Sequence, residues 1–238
     1  MIILPAIDIQ NGHAVRLRQG VEQDSKTYYD DPVEAAVKWC NEGAMFLHIV
    51  DLDGAFHGNL RNAKIIEDIC DSIDIPVEVG GGIRTEEAIN TYLECGVSRV
   101  IIGSKAVEDE AFTRSMAEKY ASELVVSIDA KGDTVVTHGW VDGSDKKVLP
   151  FAAELMDMGL RTIVYTDVSR DGMLTGPNFE MLGQLQQLPF IRLIASGGVS
   201  SVEDLKKLNA LGLYGAITGK SLYEGKITMD DIRQLGGA

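Results

Sequence analysis

The chain has 238 residues, 45% of them hydrophobic and 24% charged, which supplies the apolar material for one large α/β domain. A net charge of −14 argues against a general nucleic-acid surface, and no run approaches the ~18 apolar residues of a membrane span. Three scattered cysteines (Cys40, Cys70 and Cys95), the lack of a CxxC pair and only four histidines favour core thiols over a structural zinc site.

The first segment, MIILPAIDIQNG, has no basic stretch ahead of its short apolar run and reaches Asp8 at once. It reads as a strand and not as a secretory signal, so a cytoplasmic protein is expected. Further apolar runs rich in β-branched residues follow at 45–51, 75–79, 98–103, 123–129, 161–167, 191–195 and 214–219. Their near-continuous hydrophobicity is that of parallel strands covered on both faces. Helical stretches separate them. In DDPVEAAVKWCNEG, Asp31 is placed to cap, Pro32 to open and Gly43 to end a helix whose stripe is Val33, Ala36, Val37 and Cys40. In SSVEDLKKLNALG, Ser201 and Asp204 form a capping box, Leu205, Leu208 and Leu211 share a face, and Gly212 stops the helix.

Eight strand–helix units in this length predict a (β/α)8 TIM barrel occupying 1–238 as a single domain. An internal repeat supports it: the strand starts 45, 75 and 98 recur at 161, 191 and 214, each offset by 116 residues. Gly81-Gly82 maps onto Gly197-Gly198, Gly103 onto Gly219 and Asp51 onto Asp167, while Asp8 matches Asp129 at an offset of 121. Two half-barrels, approximately 1–120 and 121–238, are the expected halves. A doubly wound open sheet would not carry this regularity.

Glycines weaken a strand that they prolong, so VGGGIR at 79–84 and ASGGV at 195–199 need a reason. In a barrel the strands' C-terminal ends carry the active site, with phosphate bound where loops seven and eight meet a helix N-terminus. Ser196, Gly197, Gly198, Gly219 and Lys220 fall in those loops, and the repeat puts Gly81, Gly82, Arg84, Gly103 and Ser104 at the opposite rim. Two facing cradles call for a small-molecule substrate phosphorylated at both ends; the plainer reading is tight βα turns.

Asp8 and Asp129 end strands one and five and should face each other across the mouth, as a pair suited to general acid–base work. Asp171 lies in the loop after strand six, with Thr166 near that strand's end. Asp51 and Asp53 are better suited to orienting neighbours or capping a helix. Arg16 could reach a phosphate or sit in a salt bridge, His48 could be a hydrogen-bonded barrel histidine or a base, and Trp140 in a polar loop could stack on a flat heterocycle.

PAIDIQNGHAVRL, HIVDLDGAFHGN, VGGGIR, VIIGS, SIDAK, TDVSRDGMLTGPN, ASGGVSS and AITGKSLY together resemble the histidine-biosynthesis isomerase family, from residue 1 to about 225. The resemblance implies a cofactor-free and metal-free Amadori rearrangement of an aminoaldose carrying a phosphoribosyl group at each end, by a monomer. It implies Asp8 as base, Asp129 or Asp171 as acid and Thr166 as an aid to positioning the sugar. The related cyclase carries a cysteine before the first aspartate, where this chain has Pro5-Ala6-Ile7. The alternative is a bifunctional isomerase acting also on phosphoribosylanthranilate. That relative has a serine where Gly80 stands and, where His138 stands, an arginine to pair with the anthranilate carboxylate. A further departure is Val21, where the family pattern implies an acidic residue after Gly20.

Overall fold

A computed structural model describes residues 1–18 and 20–236. Gln19, in the segment after the first strand, and the last two residues of the expected domain lie outside the described residues. Among the described residues there are twelve strands: β1 (Ile2–Gln10), β2 (His13–Arg18), β3 (Val21–Tyr29), β4 (Leu47–Asp51), β5 (Val77–Gly80) and β6 (Arg99–Ile102). They continue as β7 (Leu124–Lys131), β8 (Thr134–Thr137), β9 (Asp142–Lys147), β10 (Thr162–Asp167), β11 (Arg192–Ser196) and β12 (Gly215–Thr218). Eight of these, β1, β4, β5, β6, β7, β10, β11 and β12, pair in parallel, and a β7–β10 pairing closes the ring. The result is a closed (β/α)8 TIM barrel with helices between the strands. Among the described residues, no helix is long and apolar enough to cross a membrane.

The two halves match at their strand ends. β4, β5 and β6 stop at Asp51, Gly80 and Ile102, and β10, β11 and β12 stop at Asp167, Ser196 and Thr218, again offset by 116. β1 and β7 stop at Gln10 and Lys131, offset by 121. Side chains that alternate inward, such as Leu4, Ala6, Val125, Val164 and Ile217, fill the barrel, while Ile3, Ile7, Ile49 and Val126 pack against the helices. Both faces are dry, which accounts for the unbroken hydrophobic runs.

Four local expectations are corrected. The helix Pro32–Asn41 is capped by the Asp31 side chain as expected, but its buried face is Ala35, Ala36 and Trp39; Val33, Val37 and Cys40 only flank it. The indole sets that rotation, since Trp39 packs edge-on to Tyr223 at 5.5 Å. In the helix Val202–Ala210 the capping box forms and Leu205 and Leu208 are buried, yet Leu211 is 37% exposed. The helix ends before it, the chain reverses at Gly212 (φ +77°), and Leu213 enters the core instead. The cysteines are free and half-buried at the edge of the core, and burial pushes the Cys70 thiol up to about 11. The segment of Trp140, expected as a polar loop, instead belongs to an antiparallel extension, β8–β9 from β7, and the segment after β1 forms its counterpart, β2–β3.

Candidate active site

The C-terminal ends of the parallel strands open into one cavity. All four proposed catalytic positions (Asp8, Asp129, Thr166, Asp171) and all twelve proposed binding positions line it: Arg16, Gly81, Gly82, Arg84, Gly103, Ser104, Trp140, Ser196, Gly197, Gly198, Gly219 and Lys220. Asp51 and Asp53 do not. They are buried beside it and fully engaged: Asp51 accepts from Gly54 N, Asn62 Nδ2 and Tyr92 Oη, and Asp53 from Asn11 N and Asn62 Nδ2. Asp167, the repeat partner of Asp51, accepts from Ser169 and from Asn178 Nδ2 at 2.9 Å. The residue-type reading overlooked Asn62 and Asn178, although they stand 116 residues apart and the same offset would have paired them.

These networks brace the glycine turns. A Cβ on Gly82 would collide with the Gly54 carbonyl, and one on Gly198 with the Gly176 carbonyl, at φ of +72° and +84°. The turns therefore interlock with the preceding loop in both halves, and glycine is required there for packing as well as conformation. Gly103 and Gly219 differ from that pattern. Their backbones are near-identical (φ −116°, ψ −99° and φ −114°, ψ −97°), yet a Cβ on Gly103 would meet nothing within 4 Å, whereas one on Gly219 would strike the Arg16 guanidinium.

Arg16 takes the salt-bridge option: Nη1 donates to Asp8 Oδ1 at 2.8 Å, with both side chains largely buried. Burial holds the Asp8 carboxyl above the ordinary carboxylate range, against the opposing pull of Arg16 and of His48. Burial also raises Asp171; Arg16 opposes that shift, and the nearby charges of Asp8 and Asp129 add to it. Asp129 accepts from Ser127 Oγ at 2.7 Å and from Trp140 Nε1 at 2.9 Å. The Trp140 ring also lies against Gly20, where a Cβ would come within 2.7 Å of it, so this indole joins the tip of the β2–β3 hairpin to the Asp129 carboxylate on β7. Lys220 Nζ donates to the Gly172 carbonyl, beside Asp171. His138 sits at φ +52°, with its ring nitrogens 3.1 Å from Glu108 and 3.0 Å from Asp142. Among the described residues, no three His, Cys, Asp or Glu side chains gather as a metal-ligand group.

A closed parallel barrel whose halves repeat, with Asp8, Asp129 and Asp171 lining one cavity at the C-terminal mouth, defines the class of half-repeat (β/α)8 barrels. Within that class the chain belongs to the histidine biosynthesis protein family, whose pattern matches residues 2–228. A protein of Oceanobacillus iheyensis is 47% identical over 232 residues, covering 98% of this chain and 97% of its own. Proteins of Alkaliphilus metalliredigens and Clostridioides difficile are each 48% identical over 235 residues, covering 99% of this chain and 99% and 98% of theirs. All three are named as the 1-(5-phosphoribosyl)-5-((5-phosphoribosylamino)methylideneamino) imidazole-4-carboxamide isomerase.

Proposed function

We infer that this chain is the aldose–ketose isomerase of histidine biosynthesis, converting the doubly phosphoribosylated aminoaldose named in its relatives to the corresponding aminoketose. The observation that carries the reading is identity of 47–49% over nearly the whole chain to proteins named for that reaction. The change is internal to the substrate: carbon 1′ is reduced as carbon 2′ is oxidised, and no external oxidant is consumed.

Asp171 is the acid. Its carboxyl is biased toward the protonated form by burial and by Asp8 and Asp129, as proton donation to the ribose ring oxygen requires. As the C1′–O bond breaks, the amine nitrogen's lone pair forms the Schiff base. Asp8 is the base. Burial makes it a stronger proton acceptor than an exposed aspartate, and Arg16 keeps it available in its charged form. It removes the C2′ proton, giving an enolamine that becomes the ketone when the C2′ hydroxyl loses its proton and C1′ gains one. Asp129, tied to Ser127 and Trp140, orients the sugar with Thr166. One phosphate lies against Gly81, Gly82, Arg84, Gly103 and Ser104, the other against Ser196, Gly197, Gly198, Gly219 and Lys220. The free face of Trp140 stacks on the imidazole. Glu108 and Asp142 beside His138 oppose a second carboxylate, so phosphoribosylanthranilate is a poor fit.

Incubating the purified chain with each aminoaldose and following product by chromatography tests this. Turnover of the imidazole carboxamide substrate is expected, without comparable turnover of phosphoribosylanthranilate. A folded protein that converts neither overturns the reading.

A further inference from the structure

One polar chain interrupts the apolar interior of the barrel below the cavity. Glu78, on β5, is wholly buried, with Oε1 2.8 Å from His48 Nδ1 and Oε2 2.8 Å from Arg99 Nη2. Arg99 packs over the Phe46 ring at 4.1 Å and donates to Tyr214 Oη at 3.4 Å. Around it the barrel holds side chains such as Leu4, Ile101, Val125 and Ile217. Three apolar residues of similar volume would fill this space without stripping water from two charges. Glu78 and Arg99 do not reach the cavity, but His48 lines it. His48 stands on β4 next to β1, in register with Ala6, two residues before Asp8.

A carboxylate only accepts, so His48 Nδ1 must donate to Glu78. In the neutral ring this leaves the lone pair on Nε2, which has no protein partner among the described residues. We propose that Glu78, steadied by Arg99, is a positioning residue that holds His48 in the Nδ1–H tautomer, so that Nε2 accepts a hydrogen bond from the C2′ hydroxyl of the reacting sugar. The proposal rests on the isomerase reading, which brings that hydroxyl beside Asp8. In the enolamine it is the hydroxyl that must give up its proton, and an acceptor already aimed at it needs no reorganisation.

Histidine in water favours the Nε2–H tautomer, so the reverse preference is a signature that plain core packing would not produce. Long-range 1H–15N correlation on ligand-free protein with labelled histidine rings reads it directly, with His48→Asn identifying the signal. His48 is expected as Nδ1–H. In Glu78→Leu combined with Arg99→Met, which removes both charges together, the ring should revert to Nε2–H. Turnover number should fall by roughly tenfold or more with a smaller change in KM, the loss of one charge-assisted hydrogen bond. Glu78→Gln keeps one acceptor oxygen, which the donor-only Arg99 takes, so its NH2 turns toward Nδ1; this ring too should revert to Nε2–H, with turnover lowered as in the leucine variant. A wild-type His48 protonated on Nε2, or a double variant with wild-type turnover number, overturns the proposal. A wild-type protein that converted no aminoaldose would refute the isomerase reading instead, and the ligand-free spectrum would still decide whether Glu78 sets the tautomer.

Discussion

Asp8 Oδ1 and Arg16 Nη1 lie 2.8 Å apart in a largely buried ion pair, and the arginine is supplied by the β2–β3 hairpin, not by a barrel strand. The pairing ties the proposed base to the hairpin that covers it. Burial raises the Asp8 carboxyl and Arg16 opposes the rise. The acid limb of kcat/KM should therefore fall above the ~3.9 of an ordinary aspartate, with activity lost as pH drops through it. Arg16→Met removes the counter-charge and should move that limb to still higher pH. Paired pH–rate profiles check both statements, and an unmoved limb in the variant would contradict them.

Asp171→Asn should gain stability and lose activity. The folded protein holds this carboxyl raised, so its charged form is disfavoured by folding, and stability declines as pH rises through the folded value. Removing the charge should raise Tm at pH 7.5 by a few degrees, and the gain should narrow toward pH 5. Turnover should fall by about 10²–10⁴-fold, the usual contribution of one general acid. Thermal melts at the two pH values, beside single-substrate kinetics, give both readouts.

Gly103→Ala and Gly82→Ala separate a ligand cradle from a tight turn. An alanine methyl at Gly103 stands in open space on the cavity wall, so Tm should stay within about a degree while KM rises severalfold. At Gly82 the methyl would strike the Gly54 carbonyl at positive φ, and Tm should fall sharply. An unchanged KM in Gly103→Ala would argue against a phosphate at that rim.

Asn62→Ala should cost more stability than its repeat partner Asn178→Ala. Asn62 donates to both Asp51 and Asp53, both buried, whereas Asn178 bonds one carboxylate, Asp167, at 2.9 Å and caps a helix by accepting from Met181 N at 3.1 Å. A lost bond to a buried carboxylate costs about 1.5–3 kcal/mol and a lost N-cap about 1 kcal/mol, so chemical denaturation should show the larger loss at Asn62.

The barrel was legible because strands dry on both faces carry an unbroken apolar signal, as in IILPAID and ELVVSID, and because the half-repeat registers them against each other. The β3 strand VEQDSKTYY and the β9 strand DGSDKK were not legible. Their residues are mostly exposed, and the few side chains that anchor them, such as Tyr28 and Tyr29 against Tyr223, follow no alternation, so no side-chain period marks them. The cavity residues could be found because glycine and aspartate at strand ends have few structural reasons to be there. Glu78 and Arg99 were missed because within VEV and SRVII each is a single polar residue facing the barrel interior, and only the closed ring places them together. The bridge from Trp140 to both Asp129 and Gly20 likewise joins two hairpins that have no sequence proximity.

The most direct test of the proposed chemistry is Asp8→Asn, measured for binding and turnover of the imidazole carboxamide aminoaldose in the same preparation. Binding within a few-fold of wild type with turnover lowered by about 10²–10⁴-fold is expected, because the substitution keeps the shape and removes only the base. Turnover within a few-fold of wild type would mean that another group takes the C2′ proton and that Asp8 serves only to hold Arg16.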